Sequence, residues 1–130
     1  MHTGRMRSGG QRGQSIVEFA LLLPLVLIIL FAIFDFGLAY SQYETLQSAV
    51  QEAMDQAQIG ASNAQIQAAF AQNLQSMQSS AQLAISPAAE PRLPGTSVTM
   101  TGTYTYRPVM LEVVGIDVIP MQYLLTGEVQ

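Results

Sequence analysis

Glu18 is the residue whose type and position most clearly indicate chemistry, because it is the only charged residue in the apolar run 16–34. A glutamate at the centre of a bilayer costs about 2.5–3.5 kcal/mol on insertion scales, and less near the surface. Such a residue either reaches water by snorkelling or is retained for a partner or a function. Taken alone, Glu18 is compatible with both interpretations.

The composition limits the classes of protein to which the chain can belong. Its 130 residues include no cysteine, no lysine, five arginines and nine acids, which gives a net charge of -4. This length suits one small domain with a segment or two. Charged residues make up 11% of the chain, against about 25% in ordinary soluble domains, so part of the chain is not expected to lie in water. Disulfide scaffolds and thiolate metal sites are excluded, and nucleic-acid binding is not expected.

The apolar run 16–34 predicts a transmembrane helix. As a helix, its 19 residues span about 28 Å, close to the roughly 30 Å hydrocarbon core of a bilayer. A buried helix is the less favoured alternative, because a chain of this length can hardly enclose it on every side. Arg5, Arg7 and Arg12 precede the run. By the positive-inside rule, the amino terminus is expected to stay cytoplasmic and the chain beyond about Tyr40 to be exported.

A cleaved signal peptide has the same outline, and Gly37-Leu38-Ala39 offers a cleavage site for one. The product would be an exported soluble binding domain that begins at Tyr40. Two features argue against this alternative. The apolar run is longer than the usual 7–15 residues, and it carries Glu18, which a disposable signal has no reason to keep.

Gly13 is followed by four residues and then by Glu18-Phe19, and Leu23-Pro24 and Asp35-Phe36-Gly37 come later in the same predicted helix. The spacing around Glu18 resembles the processing site of type IV prepilins and pseudopilins. The combination of these residues resembles the TadE-like family of the tight-adherence (Tad) pilus system. This resemblance covers about 45 residues and includes the small-residue segment 46–53. It implies that a prepilin peptidase cuts after Gly13, so that Gln14 becomes the first residue of the mature chain and Glu18 the fifth.

The resemblance gives these residues expected roles in processing and assembly. Gly13 lets the backbone lie extended in a protease cleft, and Gln14 and Phe19 complete the recognised sequence. Cutting leaves an α-amine on Gln14, and the hypothesis for Glu18 is that it pairs with the amine of a neighbouring subunit. Pro24 removes one backbone hydrogen bond and is expected to kink or loosen the helix, with an equally weighted alternative that it is simply tolerated.

The helix is expected to continue beyond the membrane, since no helix breaker occurs between Gly37 and Gly60. It should end near Ile59, with Gly60 as its cap. A heptad-like spacing of apolar residues allows two interpretations, packing against the chain's own head or against a partner helix. The two are compatible if the upper turns pack under the head and the lower turns pack in a bundle. This predicted helix seam consists of Ala39, Tyr43, Leu46, Val50, Ala53 and Ala57.

The remainder predicts a small α+β head. A second helix should begin at Ser62 or Asn63 and run to about Ser80. Strands are expected over 82–86, 96–106 and 117–129, in an antiparallel meander that covers a helix with one face. Pro120 requires an edge or a bulge. The predicted division is a basic leader 1–13, a transmembrane helix 14–40, its extension 41–60 and an exported head 61–130.

The chain is not expected to be an enzyme or to hold a cofactor or metal. Its one histidine, His2, lies in the predicted leader, so the mature chain would lack histidine, cysteine and lysine. The favoured hypothesis is a single-pass minor component of tight-adherence pilus assembly or initiation in the bacterial inner membrane. Its partners would be the prepilin peptidase, other pilin-like subunits and the Tad machinery. The alternatives are a pseudopilin of a type II-like secretion system, another minor pilin, or the soluble domain described above.

Overall fold

A long helix, a second helix and a three-stranded antiparallel sheet make up the fold, which confirms the predicted α+β class. The computed structural model describes residues 9–74, 77 and 80–130, so residues 1–8 of the predicted leader lie outside it. The elements in chain order are α1 (Gly9–Gln58), α2 (Asn63–Leu74), β1 (Ala81–Ser86), β2 (Ser97–Tyr106), a 3₁₀ turn η1 (Leu111–Val114) and β3 (Ile119–Glu128).

The first helix is one continuous element of 50 residues, about 75 Å long at 1.5 Å per residue. It ends in a Schellman motif: the Gly60 N–H donates to the Ala57 carbonyl at 3.0 Å, and the Ala61 N–H donates to the Gln56 carbonyl at 3.1 Å. Gly60 has a φ of 80°, which glycine adopts without strain. The predicted stop at this glycine is therefore confirmed.

The second helix begins with a capping box. The Ser62 hydroxyl accepts from the Gln65 N–H at 3.3 Å, and the Gln65 side-chain oxygen accepts from the Ser62 N–H at 3.0 Å. The described helix runs to Leu74; residues 75–76 and 78–79 of its predicted continuation to Ser80 lie outside the described residues. Met77 is buried in a 3₁₀ conformation instead, and the Ser80 N–H closes a turn onto its carbonyl at 3.0 Å.

The sheet has the strand order β1-β2-β3, and both pairings are antiparallel. The central strand β2 buries Val98, Met100 and Gly102 on one face, as its alternation predicts. β3 is an edge strand in which Pro120 lies opposite Thr105. This confirms the edge position expected for Pro120, because an edge strand pairs on one side only and can accommodate a residue without an N–H.

Two inward-facing glycines let α1 lie close against the sheet. A Cβ added at Gly102 of β2 would overlap Cγ2 of Val50, and one at Gly127 of β3 would lie 2.8 Å from Sδ of Met54. Glycine in a strand interior often marks such a close approach. The core of the head is therefore the carboxyl-terminal half of α1 held between α2 and the sheet.

Candidate assembly site on the amino-terminal helix

The amino-terminal half of α1 stands free of the head. Every residue from 10 to 30 is exposed. The most apolar 18-residue window of the helix has a mean hydropathy of 3.0, and none of it is buried. An exposed apolar helix of this length is strongly unfavourable in water and matches the thickness of a bilayer. The helix thus fits a membrane anchor.

The four residues of the predicted processing site lie in about the first three turns of α1, and all four are exposed: Gly13, Gln14, Glu18 and Phe19. Gly13 is helical, so a protease that binds an extended chain must first unwind a turn here. Glycine in a helix interior costs about 1 kcal/mol relative to alanine. Gly9, Gly10 and Gly13 therefore make this end of the helix the easiest to open.

Glu18 lies at the upper end of a polar stripe on α1. It lines one shallow depression together with Gln11, Gln14 and Ser15, and the Ser15 hydroxyl donates to the Gln11 carbonyl at 3.1 Å. Gln14 precedes Glu18 by one turn on the same face. An amine released at Gln14 and the carboxylate of Glu18 would thus be presented side by side to a neighbouring helix.

Pro24 lies within α1 without ending it, because α1 is helical on both sides of it. Proline has no N–H, so the carbonyl of Ala20, four residues earlier, lacks its helical partner. Hydrocarbon offers no water to replace that partner. The predicted loosening at Pro24 is therefore confined to one missing bond in an otherwise continuous helix.

Asp35 joins the helix to the head, a role that the sequence analysis did not assign to it. The residue is completely buried. Its carboxylate accepts three backbone N–H groups, from Val109 at 3.0 Å, Met110 at 2.9 Å and Leu111 at 2.6 Å. These donors form the start of η1, where unpaired N–H groups attract a negative charge. The only signal in the sequence is an acid placed directly after the apolar run.

Tyr106 lies at the end of β2 with a buried hydroxyl that has no hydrogen-bond partner among the described residues. Burial raises the pKa of this hydroxyl, and the negative charge of Asp35 and then Tyr104 raise it further. Tyr106 therefore stays protonated beyond the usual range of a tyrosine.

The predicted seam residues face the chain's own head. Ala39, Leu46, Val50, Ala53 and Ala57 are buried, and Tyr43 packs edge-on against Tyr123 of β3 with ring centroids 6.3 Å apart. Of the two interpretations of this stripe, the structure supports packing on the head. The stripe is not free to form a seam with a partner helix, because the sheet and α2 already cover it.

Among residues 9–74, 77 and 80–130, no three acidic, histidine or cysteine side chains come together as a metal site would require. Glu90, Glu112, Asp117 and Glu128 of the head are all exposed. The features that the described residues offer are a carboxylate, Glu18, in an exposed apolar helix and a glycine, Gly13, five residues before it.

One protein-family model matches most of α1, including its free half and nearly all of its buried half. The family model described as TadE-like protein matches residues 13–55. This segment, about a third of the chain, is similar to that family. The predicted resemblance is confirmed, and the TadE-like segment includes Gly13, Glu18, Pro24 and Asp35. It ends within α1, so the sheet and α2 lie outside it. No curated protein and no solved structure matches the chain significantly.

Proposed function

We propose that this TadE-like chain is a single-pass minor component of tight-adherence pilus assembly or initiation, processed by a prepilin peptidase after Gly13. The TadE-like segment suggests a component associated with the Tad pilus. The observation that carries the proposal is that this segment begins at Gly13 and that its first part is a bare apolar helix, which continues into a packed head. The amino terminus lies in the cytoplasm, and the head is exported across the bacterial inner membrane.

Glu18 acts in this proposal through an ion pair between subunits. Cleavage removes the arginines of the leader and frees an amine on Gln14, one turn from Glu18. Between packed helices in hydrocarbon, a carboxylate of one subunit and the amine of the next satisfy each other. The other exposed side chains of the helix are mostly aliphatic and define no register, so the ion pair fixes the axial position of each subunit.

The fold weighs against release of a soluble domain. Cleavage after Ala39 would cut α1 at a buried residue and separate Asp35 from the three N–H groups that it accepts. The freed head would then expose buried donors at the start of η1. The TadE-like segment likewise favours a tight-adherence system over a type II-like secretion system. Co-purification with other small prepilins of a tight-adherence system would separate those two.

The proposal is tested with Glu18→Ala and Glu18→Gln expressed in cells that assemble the pilus, with Glu44→Ala as the matched control. Glu44 is an exposed acid on the same helix, beyond the apolar run. Removing one partner of a buried ion pair costs about 3–5 kcal/mol. Trimming, read by intact mass, should persist in all variants, while incorporation into pilus assemblies should fall at least about tenfold for both Glu18 variants. Normal incorporation of Glu18→Ala would contradict the proposal.

A further inference from the structure

The loop between β2 and β3 exposes a cluster of apolar side chains at the edge of the head nearest the free half of α1. We name residues 107–118 the collar loop. Val113 is 86% exposed and Val109 65% exposed, although the loop is held in place through η1. The exposed apolar residues of the collar loop are Val109, Val113, Val114, Ile116 and Val118.

The collar loop lies beside the end of the apolar run of α1. The three hydrogen bonds to Asp35 fix it against the helix. Phe31 and Leu38 lie on the same helix face as Asp35, one turn before it and one turn after it, and both are only partly exposed, whereas residues 10–30 are all exposed. The lower edge of the head therefore reaches Phe31, inside the apolar run 16–34.

The length of bare helix defines where a bilayer would end. The helix is exposed on every side only over residues 16–30, which span about 22 Å, whereas the hydrocarbon core is about 30 Å thick. Beyond residue 30 only part of the helix surface stays exposed, with Ile33, Phe34 and Phe36. The remaining thickness falls at the level of the collar loop. The charge of Asp35 is compatible with a position at this depth, because its carboxylate is buried in the protein and accepts hydrogen bonds from three N–H groups.

We propose that the collar loop inserts its apolar side chains into the outer leaflet of the membrane, so that the head is seated on the lipid surface. This rests on the proposed function, in which α1 crosses the membrane. Lipid is the occupant because the apolar surface of the collar loop continues that of the bare helix. Arg107, Glu112 and Asp117 are exposed in the same loop, and their charges limit the insertion to the headgroup boundary. Tyr40, which is 65% exposed, lies at the level expected for an interfacial aromatic residue.

The chain contains no tryptophan, so single tryptophans report their surroundings without background. The reporter is Val113→Trp in the full chain, reconstituted in phosphatidylethanolamine–phosphatidylglycerol vesicles with and without brominated acyl chains. Leu93→Trp is the matched control, because Leu93 is also strongly exposed. In the loop that carries Leu93, the Gly95 N–H donates to the Val129 carbonyl, and the Gln130 N–H donates to the Gln58 carbonyl at the end of α1. Leu93 therefore lies at the end of the head away from the bare helix. Leu27→Trp, on the bare helix, reports the anchor itself.

Insertion predicts that Val113→Trp emits at shorter wavelength than Leu93→Trp and is quenched about twofold by brominated lipid. Quenching of Leu27→Trp together with water-like, unquenched emission from Val113→Trp would overturn the insertion and leave the anchor intact. Blue-shifted but unquenched emission from Val113→Trp would also overturn it, because protein rather than lipid would then cover the loop. If Leu27→Trp is not quenched, the membrane anchor of the proposed function fails as well. Circular dichroism confirms that each variant keeps its helix content.

Discussion

Replacing Asp35 with alanine should release the collar loop from α1. The carboxylate accepts the N–H groups of Val109, Met110 and Leu111, and the last of these bonds is fully buried. A hydrogen bond to a charged group contributes about 1.5–3 kcal/mol, and a buried donor left unpaired costs about 1–3 kcal/mol. The Val109 and Met110 donors are partly accessible and regain some solvation when the side chain is removed. The expected net loss is therefore about 3 kcal/mol.

Hydrogen exchange of the full chain in detergent micelles measures this loss. The informative amides are those of Gly115 and Ile116, which bond to Glu112 at 3.1 Å and Leu111 at 3.2 Å within the turn rather than to Asp35. A loss of about 3 kcal/mol raises the population of the open loop, and hence their exchange rates, about a hundredfold. Asp35→Asn keeps one acceptor oxygen and should fall between the wild type and alanine.

The matched control is Asp55→Ala, since Asp55 is an exposed acid on the same helix. It should change stability by less than about 0.5 kcal/mol and leave exchange in the collar loop unaltered. Equal exchange of Gly115 and Ile116 in Asp35→Ala and Asp55→Ala would refute the idea that Asp35 holds the loop on the helix.

Two further substitutions test the packing of the head by urea unfolding in micelles. Gly102→Ala should lower the free energy of unfolding by about 1–3 kcal/mol, because the added Cβ overlaps Val50; no destabilisation would show that α1 does not lie against β2. Tyr106→Phe removes a buried hydroxyl that has no hydrogen-bond partner within the described part of the chain and should raise stability by up to about 1 kcal/mol. Since the folded pKa of Tyr106 is raised, the unfolded chain ionises first above about pH 10, so the wild type should lose stability there and Tyr106→Phe should lose less. A larger alkaline loss in the variant would contradict this.

Local sequence patterns predicted most of the fold because the residues that define each helix or strand lie within a few positions of one another. The alternation from Val98 to Tyr106 defines both the central strand and its buried face. Gly60 ends α1 by its own conformational freedom. The second helix was predicted to reach Ser80 because Leu74 and Met77 have helical spacing. Met77 instead has a 3₁₀ conformation, which the spacing of apolar residues does not reveal.

The features that the sequence could not predict depend on contacts between distant residues. Asp35 receives its hydrogen bonds from residues 74 to 76 positions later, and one sequence offers no means of pairing them. The stripe from Ala39 to Ala57 has the same spacing whether it meets a sheet or another helix. The choice depends on Gly102 and Gly127, whose missing side chains make room for Val50 and Met54.

The first residue of the chain isolated from native cells, from both their membrane and their soluble fractions, tests most directly whether this helix is a processed, assembling anchor. Cleavage after Gly13 predicts a chain that begins at Gln14, and Gly13→Leu should leave the leader attached because a side chain then obstructs the extended backbone. Intact mass and amino-terminal sequencing distinguish the possible starts. A native chain that keeps Arg5, Arg7 and Arg12 would contradict the processing on which the Glu18 ion pair depends, and a start at Tyr40 would contradict the membrane anchor itself.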